Sequence, residues 1–166
     1  MMPWLRRAIP LILLIAIGFW IWTWIFPSPR KAIRKRLAEV AQAASFNANE
    51  GAVAKLQNNQ KLVGCCTPDV QIIVDVNGQR RTCNGKDELF QSLMFARTQV
   101  LGSCNVEFQD PVITISPNKQ NAFVDLTVRA KSSNDPDLIL QECNFTFQKI
   151  GRSWLIRKIE PVKTLR

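Results

Sequence analysis

The chemistry open to this chain of 166 residues is restricted by its composition, because it contains no histidine and no tyrosine. Acid–base, nucleophilic or metal chemistry would have to use carboxylates or cysteine thiols. Zinc sites use histidine or cysteine pairs separated by two to four residues, and a cysteine nucleophile needs a neighbouring base. Neither requirement is met, so we predict no metal site and no cofactor, and we interpret the cysteines as small apolar core residues. They are Cys65, Cys66, Cys83, Cys104 and Cys143.

The carboxylates are judged by their position in predicted strands, where successive side chains point to opposite faces. Asp75 and Asp125 each lie between two apolar residues, and Glu107 and Glu142 alternate with apolar residues in the same way. We predict that all four lie on the polar face of their strands. General acid–base catalysis needs a carboxylate that faces a pocket. The sequence therefore predicts no catalytic residue, leaves the ligand-binding residues open, and leaves enzymatic activity undecided while favouring a protein that is not an enzyme.

The elements that position these residues change in type along the chain. Apolar residues recur at helical spacing over 30–46, and further helices are predicted over 49–63 and 84–102. A strand over 70–76 separates the second helix from the third. Later in the chain the apolar residues alternate, which predicts strands over 106–108, 112–115, 122–131, 138–149 and 154–162. We predict an α+β domain in which helices pack on one face of a cone-shaped, curved antiparallel sheet.

Seven short segments, taken in their order and spacing, resemble the nuclear transport factor 2-like superfamily and, within it, the SnoaL-like branch. They lie at 36–40, 67–70, 85–89, 106–108, 122–126, 147–150 and 154–156. The resemblance covers roughly residues 30–164. It implies a cystatin-like cone, in which a curved sheet wraps around the helices and leaves an apolar pocket open at one end.

The resemblance implies two kinds of function, because such folds include isomerases, cyclases and dehydratases as well as non-catalytic modules. The first is a membrane-tethered binding or assembly module for a partner protein or a small apolar ligand, similar to inner-membrane scaffold subunits of secretion systems. The alternative is a SnoaL-like or ketosteroid-isomerase-like isomerase or cyclase. Ketosteroid-isomerase-like members use a pocket carboxylate together with tyrosine, so the absence of tyrosine favours the first function. A homodimer is a further candidate assembly.

The membrane assignment comes from residues 8–26, a run of 19 residues without a charged side chain. As a helix this run would extend about 28 Å, close to the thickness of the hydrocarbon core of a bilayer. It is longer than a signal-peptide core and lacks a small-residue cleavage site. We therefore predict a transmembrane anchor over 1–29 ahead of a domain over 30–166, with a cleaved signal peptide and a buried helix as alternatives. The anchor residues are Trp4, Arg6, Arg7, Trp20, Trp22, Trp24, Arg30, Lys31, Arg34, Lys35 and Arg36.

Positive charge is concentrated beside this span. The formal net charge is +9, and seven of the 22 lysine and arginine residues flank the span. The other 15 are set against 13 acidic residues, so the domain lacks the basic excess of a nucleic-acid-binding protein. We expect the lipid bilayer, and no nucleic acid, as a partner.

The side of the membrane on which the domain lies is less sharply determined. Five basic residues follow the span and two precede it, which predicts a single-pass protein of a bacterial inner membrane with a cytoplasmic domain. The odd cysteine count agrees with a reducing compartment. The periplasmic side stays open, because many exported domains also follow a single anchor.

Overall fold

The computed structural model describes residues 28–76, 79–99, 102–133 and 138–162. The helices in this part of the chain are α1 (Pro29–Ala44), α2 (Ala52–Gly64) and α3 (Gly85–Gln99). The strands are β1 (Cys66–Val76), β2 (Gln79–Asn84), β3 (Cys104–Ile115), β4 (Asn121–Ser132), β5 (Leu138–Ile150) and β6 (Ser153–Pro161). The predicted span over 8–26 lies outside the described residues. Among the helices that are described, none combines the length and the apolar character needed to cross a membrane.

The six strands form one sheet in the order β2-β1-β6-β5-β4-β3. Neighbouring strands are antiparallel except for β1 and β6, which are parallel. The sheet is therefore mixed, and the prediction of a purely antiparallel sheet is wrong at this pair. The reason is the connection, because α3 carries the chain from β2 at one edge to β3 at the other. The antiparallel run from β3 to β6 then returns to β1 in the same direction, and parallel strands always need such a crossover.

The amphipathic pattern of α1 places one face of the helix against the sheet. Four residues at spacings of three and four are buried: Ile33, Leu37, Val40 and Ala43. The helix ends at Ala44, two residues before the predicted end. It ends there because Phe46 forms a β-bridge with Cys104, with both N–H···O distances at 2.9 Å. The loop after α1 is thereby fixed to the start of β3.

The start of α2 also differs from the prediction. The helix begins at Ala52 with Gly51 as its capping residue, whereas Asn49 is the predicted cap. Glu50 precedes this cap, and its backbone N–H donates to the carbonyl of Asn47 at 3.1 Å. The turn at 47–50 directs the Glu50 side chain inward, away from the exposed helix start.

One bent strand, β3, replaces the two strands predicted over 106–108 and 112–115. Asp110 has a φ of 51° and is followed by Pro111. The pairing of β3 with β4 shifts register between Gln109 and Val112. A bulge of this kind bends a strand without ending it. Asp110-Pro111 therefore reads as a break in the sequence but is a bend in the sheet.

The core lies between the helices and the inner face of the sheet. β4 and β5 contribute alternate residues to it, as their period of two predicts. The Phe145 ring meets the Phe108 ring edge-on, with 5.4 Å between centroids, and its centroid lies 6.5 Å from that of Phe147. These rings fill the middle of the domain.

Candidate functional site

The inner face of the sheet, where the predicted cone would hold its pocket, is occupied by closely packed apolar side chains. β4 presents Ala122, Val124 and Leu126 on this face, and each is 5% exposed or less. β5 presents Phe145 and Phe147, which are 2% exposed or less. Side chains buried to this degree leave little room for a small molecule between them.

The strand carboxylates lie on the other face of the sheet. Asp75, Glu107, Asp125 and Glu142 are all exposed, which confirms the positions predicted from alternation. Asp125 Oδ1 accepts a hydrogen bond from Asn144 Nδ2 at 2.7 Å, and a Glu107 oxygen lies 3.3 Å from the Arg129 guanidinium. Asp110, at the bulge of β3, is the exception among the described strand carboxylates: it is exposed, and with Leu37 and Phe108 it borders a hollow of about 490 Å³ between α1 and β3.

A large cavity lies on the helix side of the domain. It is an open cleft of about 950 Å³ between α1, the loop over 45–51, α2 and the start of β3. Its lining combines charged groups and amides with a few apolar or thiol side chains. The polar lining residues are Arg36, Glu39, Gln42, Ser45, Asn47, Glu50, Asn58, Lys61, Ser103 and Asn105. We call this cavity the helix cleft.

A buried ion pair forms one wall of the helix cleft. The Arg97 side chain, on α3, is 4% exposed, and its Nη1 atom lies 2.9 Å from Glu50 Oε2. Arg97 Nη2 also donates to the carbonyl of Ala43 near the end of α1. The guanidinium carbon lies 5.1 Å from the centroid of the Phe46 ring, within cation–π distance. Glu50 accepts a second hydrogen bond from Asn58 on α2.

The Arg97–Glu50 pair joins all three helices, and sequence reasoning did not find it. The sequence does contain a signal for Arg97, because Leu89, Leu93 and Arg97 follow one another at intervals of four residues on one face of α3. An arginine that continues an apolar stripe needs a buried acceptor. Nothing in the sequence identifies Glu50, 47 residues earlier, as that acceptor.

The basic residues predicted to flank the membrane do not all face solvent. Arg30, Lys31, Arg34 and Lys35 are exposed. Arg36 is half-buried, and its Nε atom donates to the carbonyl of Trp154 on β6 at 3.1 Å. Its Nη1 atom lies 2.8 Å from Glu39 Oε2 and 3.5 Å from Cys65 Sγ. Arg36 thus joins α1 to β6, while the other four basic residues of this group are exposed.

The tryptophans and the first two arginines of that predicted set are outside the described residues. They are Trp4, Arg6, Arg7, Trp20, Trp22 and Trp24. Their assignment to a membrane anchor stays a prediction from the sequence.

The five cysteines are free thiols. Cys65, Cys66 and Cys143 are buried, and burial together with the neighbouring Cys65 raises the pKa of Cys66 to about 12. Burial also raises the pKa of Cys83, Cys104 and Cys143. A thiol that keeps its proton at neutral pH is a poor nucleophile. The described residues contain no group of three or more side chains that could hold a metal ion.

The raised pKa of Cys66 makes the stability of the domain depend on pH in the alkaline range. The unfolded chain releases this proton near pH 8.5, whereas the folded chain holds it to about pH 12. The stabilising contribution is therefore complete below about pH 8.5 and is lost as the pH rises toward 12, at up to about 1.4 kcal/mol per pH unit. We expect urea unfolding between pH 8 and 11 to show a shallower decline for Cys66→Ala than for the unaltered chain. Equal slopes would contradict the burial of this thiol.

A shallow groove of about 520 Å³ lies on the outer face of the sheet. Arg157 Nε is 3.7 Å from Asp69 Oδ2 there, and Lys158 Nζ is 2.6 Å from Glu160 Oε2. Both pairs are at least one-third exposed, so each contributes little to stability. The groove offers paired charges and no concentration of one sign.

Comparison with known proteins gives the fold. No family model matches the sequence, and no curated protein matches it. Among solved structures, the chain is similar to a scytalone dehydratase-like protein from Novosphingobium aromaticivorans, with a TM-score of 0.63 and 14% identity over 82% of this chain and 84% of that one. It is also similar to an NTF2-like protein of unknown function from Pseudomonas putida, with a TM-score of 0.63 and 11% identity over 81% and 85%.

A third neighbour is a protein of unknown function with a cystatin-like fold from Nostoc punctiforme, with a TM-score of 0.60 and 11% identity over 80% of this chain and 88% of that one. At these identities the likeness establishes the fold and nothing about activity. The domain has the cystatin-like α+β fold of nuclear transport factor 2-like proteins, which confirms that part of the sequence resemblance.

Proposed function

We propose that this protein is a membrane-tethered, non-catalytic binding or assembly module. The observation that carries the proposal is the inner face of the sheet, where Phe145 and Phe147 are almost fully buried, whereas Asp75, Asp125 and Glu142 are exposed. An isomerase or cyclase needs an open pocket with a proton-transfer group. The middle of the inner face is filled by apolar side chains, and Asp110, the carboxylate that borders the hollow between α1 and β3, is exposed.

The helix cleft is the surface that suits a partner. Its volume of about 950 Å³ is at the upper end of the range for small-molecule pockets, and polar and apolar atoms contribute equally to its lining, whereas small-molecule pockets are predominantly apolar. Backbone N–H and C=O groups of a partner polypeptide would find acceptors and donors there. We infer that a segment of a partner protein binds in this cleft.

The tether is supported by the continuity between the predicted span and the domain. The apolar run ends at Phe26, and α1 begins at Pro29. The exposed Arg30, Lys31, Arg34 and Lys35 lie in the first two turns of α1. Cations in a helix's first turns oppose its dipole, so their presence there fits attraction to lipid headgroups better than stabilisation of the helix.

The structural likeness to a scytalone dehydratase-like protein keeps one alternative, an isomerase, cyclase or related small-molecule enzyme. Under that alternative, replacing one carboxylate by its amide would abolish turnover and leave the melting temperature unchanged. Asp75, Asp125 and Glu142 are the strand carboxylates to test first. A binding module would tolerate all three changes, because each residue is exposed.

The binding function is tested with the full chain, tagged after Arg166 and purified in detergent from its native membranes. Lys61 lines the helix cleft, whereas Lys55, on the same helix, does not. We expect a stoichiometric partner protein with the unaltered chain and with Lys55→Glu, and a loss of at least about ten-fold with Lys61→Glu, because a reversed charge in the cleft repels the partner segment. Equal partner recovery from both variants would exclude the cleft. Turnover that depends on a single carboxylate would contradict the non-catalytic function.

A further inference from the structure

Several exposed cations from separate parts of the chain lie together at one end of the domain. Lys31, Lys35 and Arg152 surround one hollow of about 260 Å³, between the first turns of α1 and the turn that joins β5 to β6. Glu39 also lines this hollow, but it pairs with Arg36 at 2.8 Å. Within the described residues, Lys31, Lys35 and Arg152 have no carboxylate oxygen within 4 Å.

The turn between β3 and β4 lies at the same end. The backbone N–H of Lys149 donates to the carbonyl of Gln120 at 2.8 Å, so this hydrogen bond holds the two strand turns side by side. Lys119, in the β3–β4 turn, is exposed, and so is Arg152 in the neighbouring turn. Ile150 lies between Lys149 and Arg152 in the sequence and is 46% exposed. An apolar residue between two cations suits the boundary between headgroups and acyl chains.

A short connection limits the distance between this end and the predicted span. Only Pro27 and Ser28 separate the apolar run from α1, and the three Cα–Cα steps from Phe26 to Pro29 extend at most about 11 Å. If the span crosses the bilayer, the first turn of α1 is held about one Debye length from the headgroups at physiological ionic strength. The contact of Arg36 with Trp154 keeps the β5–β6 turn beside that helix.

The geometry points to a lipid-docking surface formed by Lys31, Lys35, Lys119, Ile150 and Arg152, which seats the domain on anionic phospholipid headgroups in one orientation. This inference rests on the proposed tether, and it adds that the domain is held against the bilayer by its own surface. The helix cleft is lined from Arg36 onward along α1, so docking leaves most of its length free for a partner. The opposite end of the sheet, with Lys131 and Arg80, would point away from the membrane.

The test uses the full chain in nanodiscs of phosphatidylcholine alone and of phosphatidylcholine mixed with phosphatidylglycerol, followed by hydrogen exchange. We expect amides over 118–120 and 150–152 to exchange about five-fold or more slowly in the anionic discs. Lys35→Gln with Arg152→Gln should remove this difference. The matched control, Lys131→Gln with Arg80→Gln, removes the same charge from the opposite end and should preserve it. Exchange that does not depend on phosphatidylglycerol would overturn the docking surface.

Flotation with vesicles tests the proposed tether separately from the docking surface. A chain that floats with phosphatidylcholine vesicles has the tether, whatever the exchange experiment shows. A chain that fails to float with phosphatidylcholine vesicles lacks the tether, and flotation with phosphatidylglycerol vesicles then tests the docking surface. Flotation that is abolished by Lys35→Gln with Arg152→Gln supports the docking surface. A chain that does not float with phosphatidylglycerol vesicles overturns it. Equal protection of the same amides by a single-stranded oligonucleotide in phosphatidylcholine discs would also overturn the assignment to lipid.

Discussion

Replacing Arg97 by methionine is expected to lower the free energy of unfolding by about 3–5 kcal/mol, because it leaves the Glu50 carboxylate buried without its cation. The same change leaves the Ala43 carbonyl without its Arg97 donor. Both losses fall where α1, α2 and α3 meet. Urea unfolding followed by far-ultraviolet circular dichroism measures the effect.

The matched control is Arg129→Met, in which the arginine and its partner Glu107 are 40% and 47% exposed. Exposed pairs contribute about 0–1 kcal/mol, so this change should be nearly silent. Combining Arg97→Met with Glu50→Leu should recover part of the loss, because it removes the unpaired charge as well. Equal effects of Arg97→Met and Arg129→Met would show that the three helices do not depend on this ion pair.

Replacing Phe145 by alanine is expected to lower the free energy of unfolding by about 3–5 kcal/mol by opening a cavity in the inner face of the sheet. The ring is 2% exposed and contacts Phe108 on β3. Because the neighbouring Phe147 is also fully buried, the surrounding chain has little freedom to close the space. Thermal and urea unfolding both report the change.

Phe123→Ala is the control, because Phe123 has the same side chain on the outer face of β4 and is 44% exposed. Its effect should be less than half as large, since much of the ring is already in water. A Phe145→Ala variant with an unchanged melting temperature would mean that the inner face is not closely packed. The domain could then hold a small molecule, and the enzymatic alternative would gain support.

The strands of the second half of the chain could be predicted because their period of two is regular. This regularity predicts that Asp125 and Glu142 lie on the outer face of the sheet, and the structure has them there. α1 was equally accessible, since its buried residues follow a helical period. In both cases the pattern lies within one element, where the spacing of the apolar residues indicates which face is buried.

The features that escaped prediction depend on residues distant in the sequence. The parallel pairing of β1 with β6 follows from where α3 crosses, which local periodicity does not encode. Arg97 lies on α3 and Glu50 lies in the turn before α2, and these two segments come into contact only through the packing of the whole domain. Asp110-Pro111 predicts a break between two strands, whereas the structure has a bulge there, because bulges and turns share residue preferences.

The parallel pair also determines when the fold can be completed during synthesis. β6 lies between β5 and β1, so it supplies a neighbour to β1, a strand that is synthesised long before it. Ile72 of β1 has Ile159 as its partner on β6, and nearly the whole domain must emerge before they meet. Until then β1 has hydrogen-bonding groups open on one edge, and contacts of such sequence separation form slowly. A nascent chain that is stalled before residue 153 exposes the unpaired edges of β1 and β5. We therefore expect chaperones to bind the chain most strongly just before β6 is synthesised.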